Sequence, residues 1–233
     1  MEKHQVILKN RLGSSWYEKV GQRFLGEEGK NIFSHVAVSR SKGTVSPSDE
    51  HLFNAFRLCS FEDTKVVIIG EMPSKYAFLA DGLAFSSDDP FEWHEGEKTI
   101  FDEIDRDIYN GAEIHRERSL SKWSVQGVLM LNLFLTSTQD RKAHTKIGWQ
   151  KITIDILKML AKDESPKVFM AWGATAKKAM AIVGKEVEHK HLVVAAASPI
   201  AAEEKGGEGF IGSNNFSDCN AFLKDKQYME INW

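Results

Sequence analysis

Four short apolar runs constrain this chain more than any other feature: Val66-Val67-Ile68-Ile69, Val128-Leu129-Met130-Leu131, Val168-Phe169-Met170-Ala171 and Leu192-Val193-Val194-Ala195. None alternates with polar residues, and each stops at a polar or turn-forming stretch. Such runs are expected of parallel strands buried on both faces. Helical patterns lie between them. Ile100, Phe101, Ile104 and Ile108 form one stripe; Trp149, Ile152, Ile156, Leu157 and Leu160 form a second; Ala174 to Ile182, after Gly173, forms a third. The alternation predicts an α/β fold: a central four-stranded parallel sheet, right-handed crossovers, and helices on both faces. Residues 1–60 read as mostly helical, with Leu52, Phe53, Phe56 and Leu58 packing a short helix before the first of these strands. Without an internal repeat, low-complexity tract or linker, residues 1–233 read as a single domain.

Composition removes several function classes. With 42% hydrophobic residues the chain can bury a large core. Thirty Lys+Arg against 33 Asp+Glu leave a formal charge of −3, which excludes a strongly basic DNA-coating protein but not a small basic footprint. Cys59 and Cys219 form no CxxC or Cys/His cluster, so neither a disulfide scaffold nor a metal site is expected. No apolar leader or run near the ~20 residues of a membrane span is present. The expectation is a soluble, cytoplasmic, monomeric protein without a cofactor.

In open parallel sheets, function gathers at the carboxyl ends of the strands. Here those ends read Gly70-Glu71-Met72-Pro73-Ser74, Asn132, Trp172-Gly173-Ala174-Thr175 and Ala196-Ala197-Ser198-Pro199-Ile200. An amide is costly to bury unpaired, so Asn132 should find partners at the mouth of the sheet, whether a ligand or a neighbouring loop.

Together these segments resemble the uracil-DNA glycosylase family from about residue 45 to the C-terminus. Gly70-Glu71-Met72-Pro73-Ser74-Lys75, then Gly82-Leu83-Ala84-Phe85-Ser86, is similar to its GQDPYH…GLAFS. Trp123 through Asn132, followed by Leu135-Thr136, resembles W..QGVLLLN..LT. Gly148-Trp149 matches a GW helix start, and Val168–Gly173 a VFLLWG strand. Ala196-Ala197-Ser198-Pro199-Ile200-Ala201, with Gly209-Phe210-Ile211-Gly212 and Asn215-Phe216-Ser217, stands where the family has HPSPLS and GFFG..HFS.

The resemblance implies a base-flipping site in which Phe85 stacks on the everted base and Asn132 reads its edge. The departures fall on the chemistry. Met72 replaces the family's water-activating Asp, and Ala196 replaces the His that bonds the leaving base. Each such group is worth ~10²–10⁴-fold, so other residues must act. Glu71, one position from the vacant site, is the first candidate base and Asp81 the second. Ser74 replaces a Tyr that walls off C5, which opens room for a C5 substituent. Lys75, the Gly173-Ala174-Thr175 turn at a helix N-terminus, and Ser198 are the expected phosphate contacts. Ile200 stands at the family's duplex wedge, although the following loop, Ala201 to Gly209, is longer and more acidic.

The loop Pro90-Phe91-Glu92-Trp93-His94-Glu95-Gly96 replaces a Pro-rich, Ser-ending one; its aromatics and carboxylates suit a sugar, and its carboxylates repel phosphate. From Asp88 to Arg118 there are 11 Asp/Glu against 4 Lys/Arg, and from Gln139 to Lys190 the balance reverses to 11 Lys/Arg against 6 Asp/Glu. That asymmetry lets one side face DNA. The reading is a DNA glycosylase acting on a C5-modified pyrimidine, hydroxymethylated or glucosylated, with anti-phage defence as an analogy. A catalytically silent binding homologue and a slow enzyme acting on uracil itself stay open.

Overall fold

The computed structural model describes residues 2–89, 91–184, 190–203 and 205–233, without the side chains of Glu2 and Glu203. Pro90 and Glu204, within two loops noted above, lie outside the described residues, as does 185–189 of the basic tract.

Three helices open the chain: α1 (Glu2–Leu12), α2 (Ser14–Leu25) and α3 (Glu27–Lys42). They are followed by β1 (Val45–Ser46), α4 (Asn54–Leu58) and β2 (Val66–Gly70). After α5 (Glu97–Ile108) and α6 (Ser121–Ser124) come β3 (Val128–Asn132), β4 (Ser137–Thr138) and α7 (Trp149–Ala161). Then follow β5 (Val168–Trp172), α8 (Ala174–Val183), β6 (Leu192–Ala196), α9 (Pro199–Glu203) and α10 (Asn215–Asp225).

The four apolar runs form one parallel sheet of order β3-β2-β5-β6, flanked by helices. Val66 pairs with both Val128 and Val168, and Gly70 with Asn132, so three strands end level at one rim. Residues of β2, β3 and β5 are fully buried, as continuous apolarity predicts. β6 corrects the expectation: Val193 is 43% exposed and burial alternates along it, because an edge strand is only half covered. The β1–β4 ribbon, antiparallel and two residues a side, carries too little pattern to be read from sequence.

The N-terminal helices share the core of the sheet. Trp16 packs edge-on to Phe56 and Phe61, and Phe33 to Trp149 of α7. Trp16 Nε1 donates to the Cys59 carbonyl at 2.7 Å. Burial pushes the Cys59 thiol up to about 11 and raises Cys219 as well, so both are inert packing residues at neutral pH. No helix among the described residues is long and apolar enough to cross a membrane.

Candidate active site

Gly70 ends β2 beside Asn132. A Cβ there would lie 2.4 Å from Asn132 Oδ1 and 2.8 Å from Ala84 Cβ, so only glycine lets the carboxamide and the GLAFS segment close over this rim. Asn132 is 4% exposed, yet its carboxamide hydrogen-bonds no described residue. An amide at this rim that no described side chain or backbone group engages is free to bond a ligand.

Phe85 is held beside it at φ 63°, a left-handed conformation that costs a bulky residue on the order of 1 kcal/mol or more. Ala84 N–H donates to the Met130 carbonyl at 3.1 Å and pins the segment to β3. The ring lies 5.4 Å from Trp172 and edge-on to His94 at 6.2 Å.

Asp81 holds the same turn. Its two carboxylate oxygens accept from Leu83 N–H at 2.9 Å and Ser86 Oγ at 2.5 Å, while Ser86 Oγ accepts from Leu120 N–H. Burial pushes its carboxyl up to about 6, against the pull of those two bonds. Both carboxylate oxygens of this candidate base are thus engaged inside the loop that leads to Phe85. Glu71 is exposed, and its side chain has no partner among the described residues.

Met72 turns its sulfur to Ser137 Oγ, which donates at 3.8 Å. Ser74 Oγ accepts from Tyr76 N–H at 3.2 Å. Ser74 itself is 1% exposed, while Tyr76, Phe78 and Trp93 keep 40%, 58% and 44% of their surface in solvent. Tyr76 and Phe78 are exposed and face each other, and Trp93 packs on Phe101 under the Arg118 guanidinium. Met72, Ser74, Phe85, Asn132 and Ala196 are nevertheless all 8% exposed or less, so the site is shut. Cavities of about 350 and 480 Å³ lie elsewhere, against Arg116 and Trp233 and against Arg106 and Ile211.

Of the expected phosphate contacts, the Gly173-Ala174-Thr175 turn and Ser198 meet at the end of β5. Gly173 has φ 91°, and a Cβ there would meet Ser198 Cβ at 3.0 Å. Its N–H donates to the Ala196 carbonyl. Ala174 is exposed and Thr175 half-buried at the start of α8. Lys75 stands apart, its Nζ 5.0 Å from the Tyr76 ring centroid. Ile200 is half-buried against Gly96 rather than standing free as a wedge.

Two residues escaped sequence reasoning. His94 is 3% exposed, donates through Nδ1 to the Glu95 carbonyl at 2.7 Å, and is held neutral by burial. Glu97 is fully buried; its Oε2 accepts from His94 N–H at 2.9 Å, and its Oε1 has no partner among the described residues. Burial pushes the Glu97 carboxyl up to about 8, although the His94 bond and Arg118 favour its charged form. The only sequence signal was an acid three residues after His94, the spacing of a carboxylate reaching back over a helix start.

Residues 56–224 match the family described as "Uracil DNA glycosylase superfamily". A uracil-DNA glycosylase of Streptococcus uberis is 35% identical over 223 residues, covering 94% of this chain and 98% of that protein. Uracil-DNA glycosylase 2 of Bacteroides fragilis is 34% identical over 226 residues, covering 96% and 99%. The crystal structure of mimivirus uracil-DNA glycosylase superposes with a TM-score of 0.83 at 21% identity, covering 97% of this chain and 88% of that one. With a family model matching residues 56–224 and relatives alike along their whole length, the chain belongs to the uracil DNA glycosylase superfamily.

Proposed function

We propose that this chain is a DNA glycosylase that everts a pyrimidine with an enlarged C5 substituent and hydrolyses its N-glycosidic bond to leave an abasic site. Family membership supplies the reaction class. The observation that carries the base-binding reading is the Asn132 amide, bonded by no described residue, on the rim that also holds Phe85 at positive φ. In this reading the base stacks on Phe85 and Asn132 bonds its polar edge. Met72, Ser74 and Ala196 form the remaining wall, with Ser74 on the C5 side. Water adds to C1′, the bonding pair leaves with the base, and Glu71 accepts the water's proton. Lys75, Ser198 and the first turn of α8 hold the phosphates, with Ile200 near the flanking bases. The protein acts as a monomer on DNA, without cofactor, and a role against phage DNA carrying such bases follows by analogy.

A second reading, uracil as the substrate, is favoured by the names of the relatives. Abasic-site formation on oligonucleotides carrying uracil, 5-hydroxymethylcytosine or its glucosylated form separates the two. Cleavage of the modified substrates at least tenfold faster supports the first; cleavage of uracil alone selects the second. No cleavage of any substrate removes both and leaves a silent binding homologue. Loss of cleavage in Glu71→Gln supports its role as base, and an unchanged rate rejects it.

A further inference from the structure

His94 packs against Phe85, its ring edge-on at 6.2 Å, and is 3% exposed. Its backbone is clamped from both sides: its N–H donates to Glu97 Oε2 at 2.9 Å, and its carbonyl accepts from Glu97 N–H at 3.0 Å. The ring is clamped too. Nδ1 meets the Glu95 carbonyl at 2.7 Å, and a carbonyl only accepts, so the one proton of the neutral imidazole sits on Nδ1. Nε2 is left as a bare acceptor, and it bonds no described residue. The surroundings put His94 on the side of Ser74. A charge that reaches it from outside its own loop is that of Arg141, just beyond β4. The same stretch touches the Met72–Lys75 segment twice, through Ser137 Oγ on Met72 and through Gln139 Nε2 on the Lys75 carbonyl.

We propose that His94 is a specificity-determining residue: its Nε2 accepts a hydrogen bond from a hydroxyl on the C5 substituent of a base stacked on Phe85. It thereby selects hydroxyl-bearing substituents over those of similar size that only accept. The proposal rests on the base-binding reading above and deepens it, naming the chemistry of the substituent. A site built to bond a hydroxyl rejects the analogue without one, because its own buried acceptor then stays unpaired. An acceptor-only substituent fares worse still, since its lone pairs face that of Nε2.

The test measures fluorescence anisotropy of labelled duplexes that carry 5-hydroxymethylcytosine or 5-formylcytosine at one position, on a 2′-fluoroarabino sugar whose glycosidic bond resists cleavage. The proteins are wild type and His94→Phe, which keeps an aromatic edge against Phe85 and lacks Nε2. Wild type at neutral pH is expected to bind the hydroxymethyl duplex about tenfold or more tightly than the formyl one, and His94→Phe to bind the two within about twofold. Should the variant fail to fold, wild type supplies a second readout. Burial lowers the pKa of His94, and protonation turns Nε2 into a donor, so acid should reverse the preference towards the formyl duplex. The charges facing the ring are Glu95 on its own loop and Arg141 beyond β4; Glu97 of α5 bonds its backbone, and Asp81 and Arg118 act on Glu97. Protonating Glu97 or Asp81 alters binding of both duplexes alike and leaves their ratio unmoved. A wild-type ratio within about twofold, a ratio that survives in His94→Phe, or one that stays constant as His94 titrates would each overturn the proposal. Abasic-site formation on cleavable duplexes reports separately on the glycosylase reading: modified bases cleaved without dependence on His94 sink the inference alone, and cleavage of uracil only sinks the reading.

Discussion

At the scale of single residues, the rim separates groups that hold the site from groups available to a ligand. Asn132 bonds nothing described, so Asn132→Ala should change the urea midpoint little, by less than ~1 kcal/mol in stability, while base eversion and cleavage fall by about 10²-fold or more. A stability loss as large as a core truncation would show that the amide supports the fold. Glu97 makes the opposite case. Its carboxyl, ordinarily near 4.5, is raised to about 8 by burial, so the folded state holds a proton that the unfolded state has released over that interval. Stability therefore falls as pH rises from about 4.5 to about 8, by an amount on the order of a few kcal/mol. Glu97→Gln, neutral at every pH, should flatten the melting temperature between pH 5 and pH 9. An equal fall in the variant would place the pH dependence elsewhere.

At the scale of elements, the acidic loop and the Ala196–Ile200 segment are fitted to each other through one glycine. Gly96 has φ 82°, and a Cβ there would sit 2.7 Å from Ile200 N and 2.9 Å from the Pro199 carbonyl carbon. Gly96→Ala should cost ~1–3 kcal/mol, since both the conformation and the space resist it, and should slow cleavage by shifting the loop whose His94 packs against Phe85. Urea denaturation gives the first quantity and single-turnover kinetics the second. Gly70 is under the same kind of constraint from Asn132 and Ala84. The helix boundaries at α5, α7 and α8 follow glycines at 96, 148 and 173 that all have positive φ.

At the scale of the whole molecule, the N-terminal helices and the sheet share one aromatic core. Trp16, fully buried and bonded to the Cys59 carbonyl, lies in that core away from the rim. Trp16→Ala should lower stability by ~3–5 kcal/mol, read from the urea midpoint, and leave the cleavage rate of the folded fraction near wild type. A selective loss of rate without loss of stability would tie the N-terminal helices to the chemistry.

The sequence by itself determined the strands of the sheet and the residues at its rim, because short continuous apolar runs between helical patterns suit parallel strands and function collects where such strands end. It also carried the family resemblance, down to the departures at Met72, Ser74 and Ala196. Tertiary structure decided what each group is free to do. Asp81 and Glu71 are both carboxylates near the rim, and only packing showed one occupied on both oxygens and the other exposed. His94 comes from a loop with no periodicity and Glu97 from the first turn of α5, outside its apolar stripe, and their burial depends on distant segments folding over them. Periodicity records which face of an element meets the core; hydrogen bonding and dielectric surroundings are set by residues far apart in the chain, and exist only once it has folded.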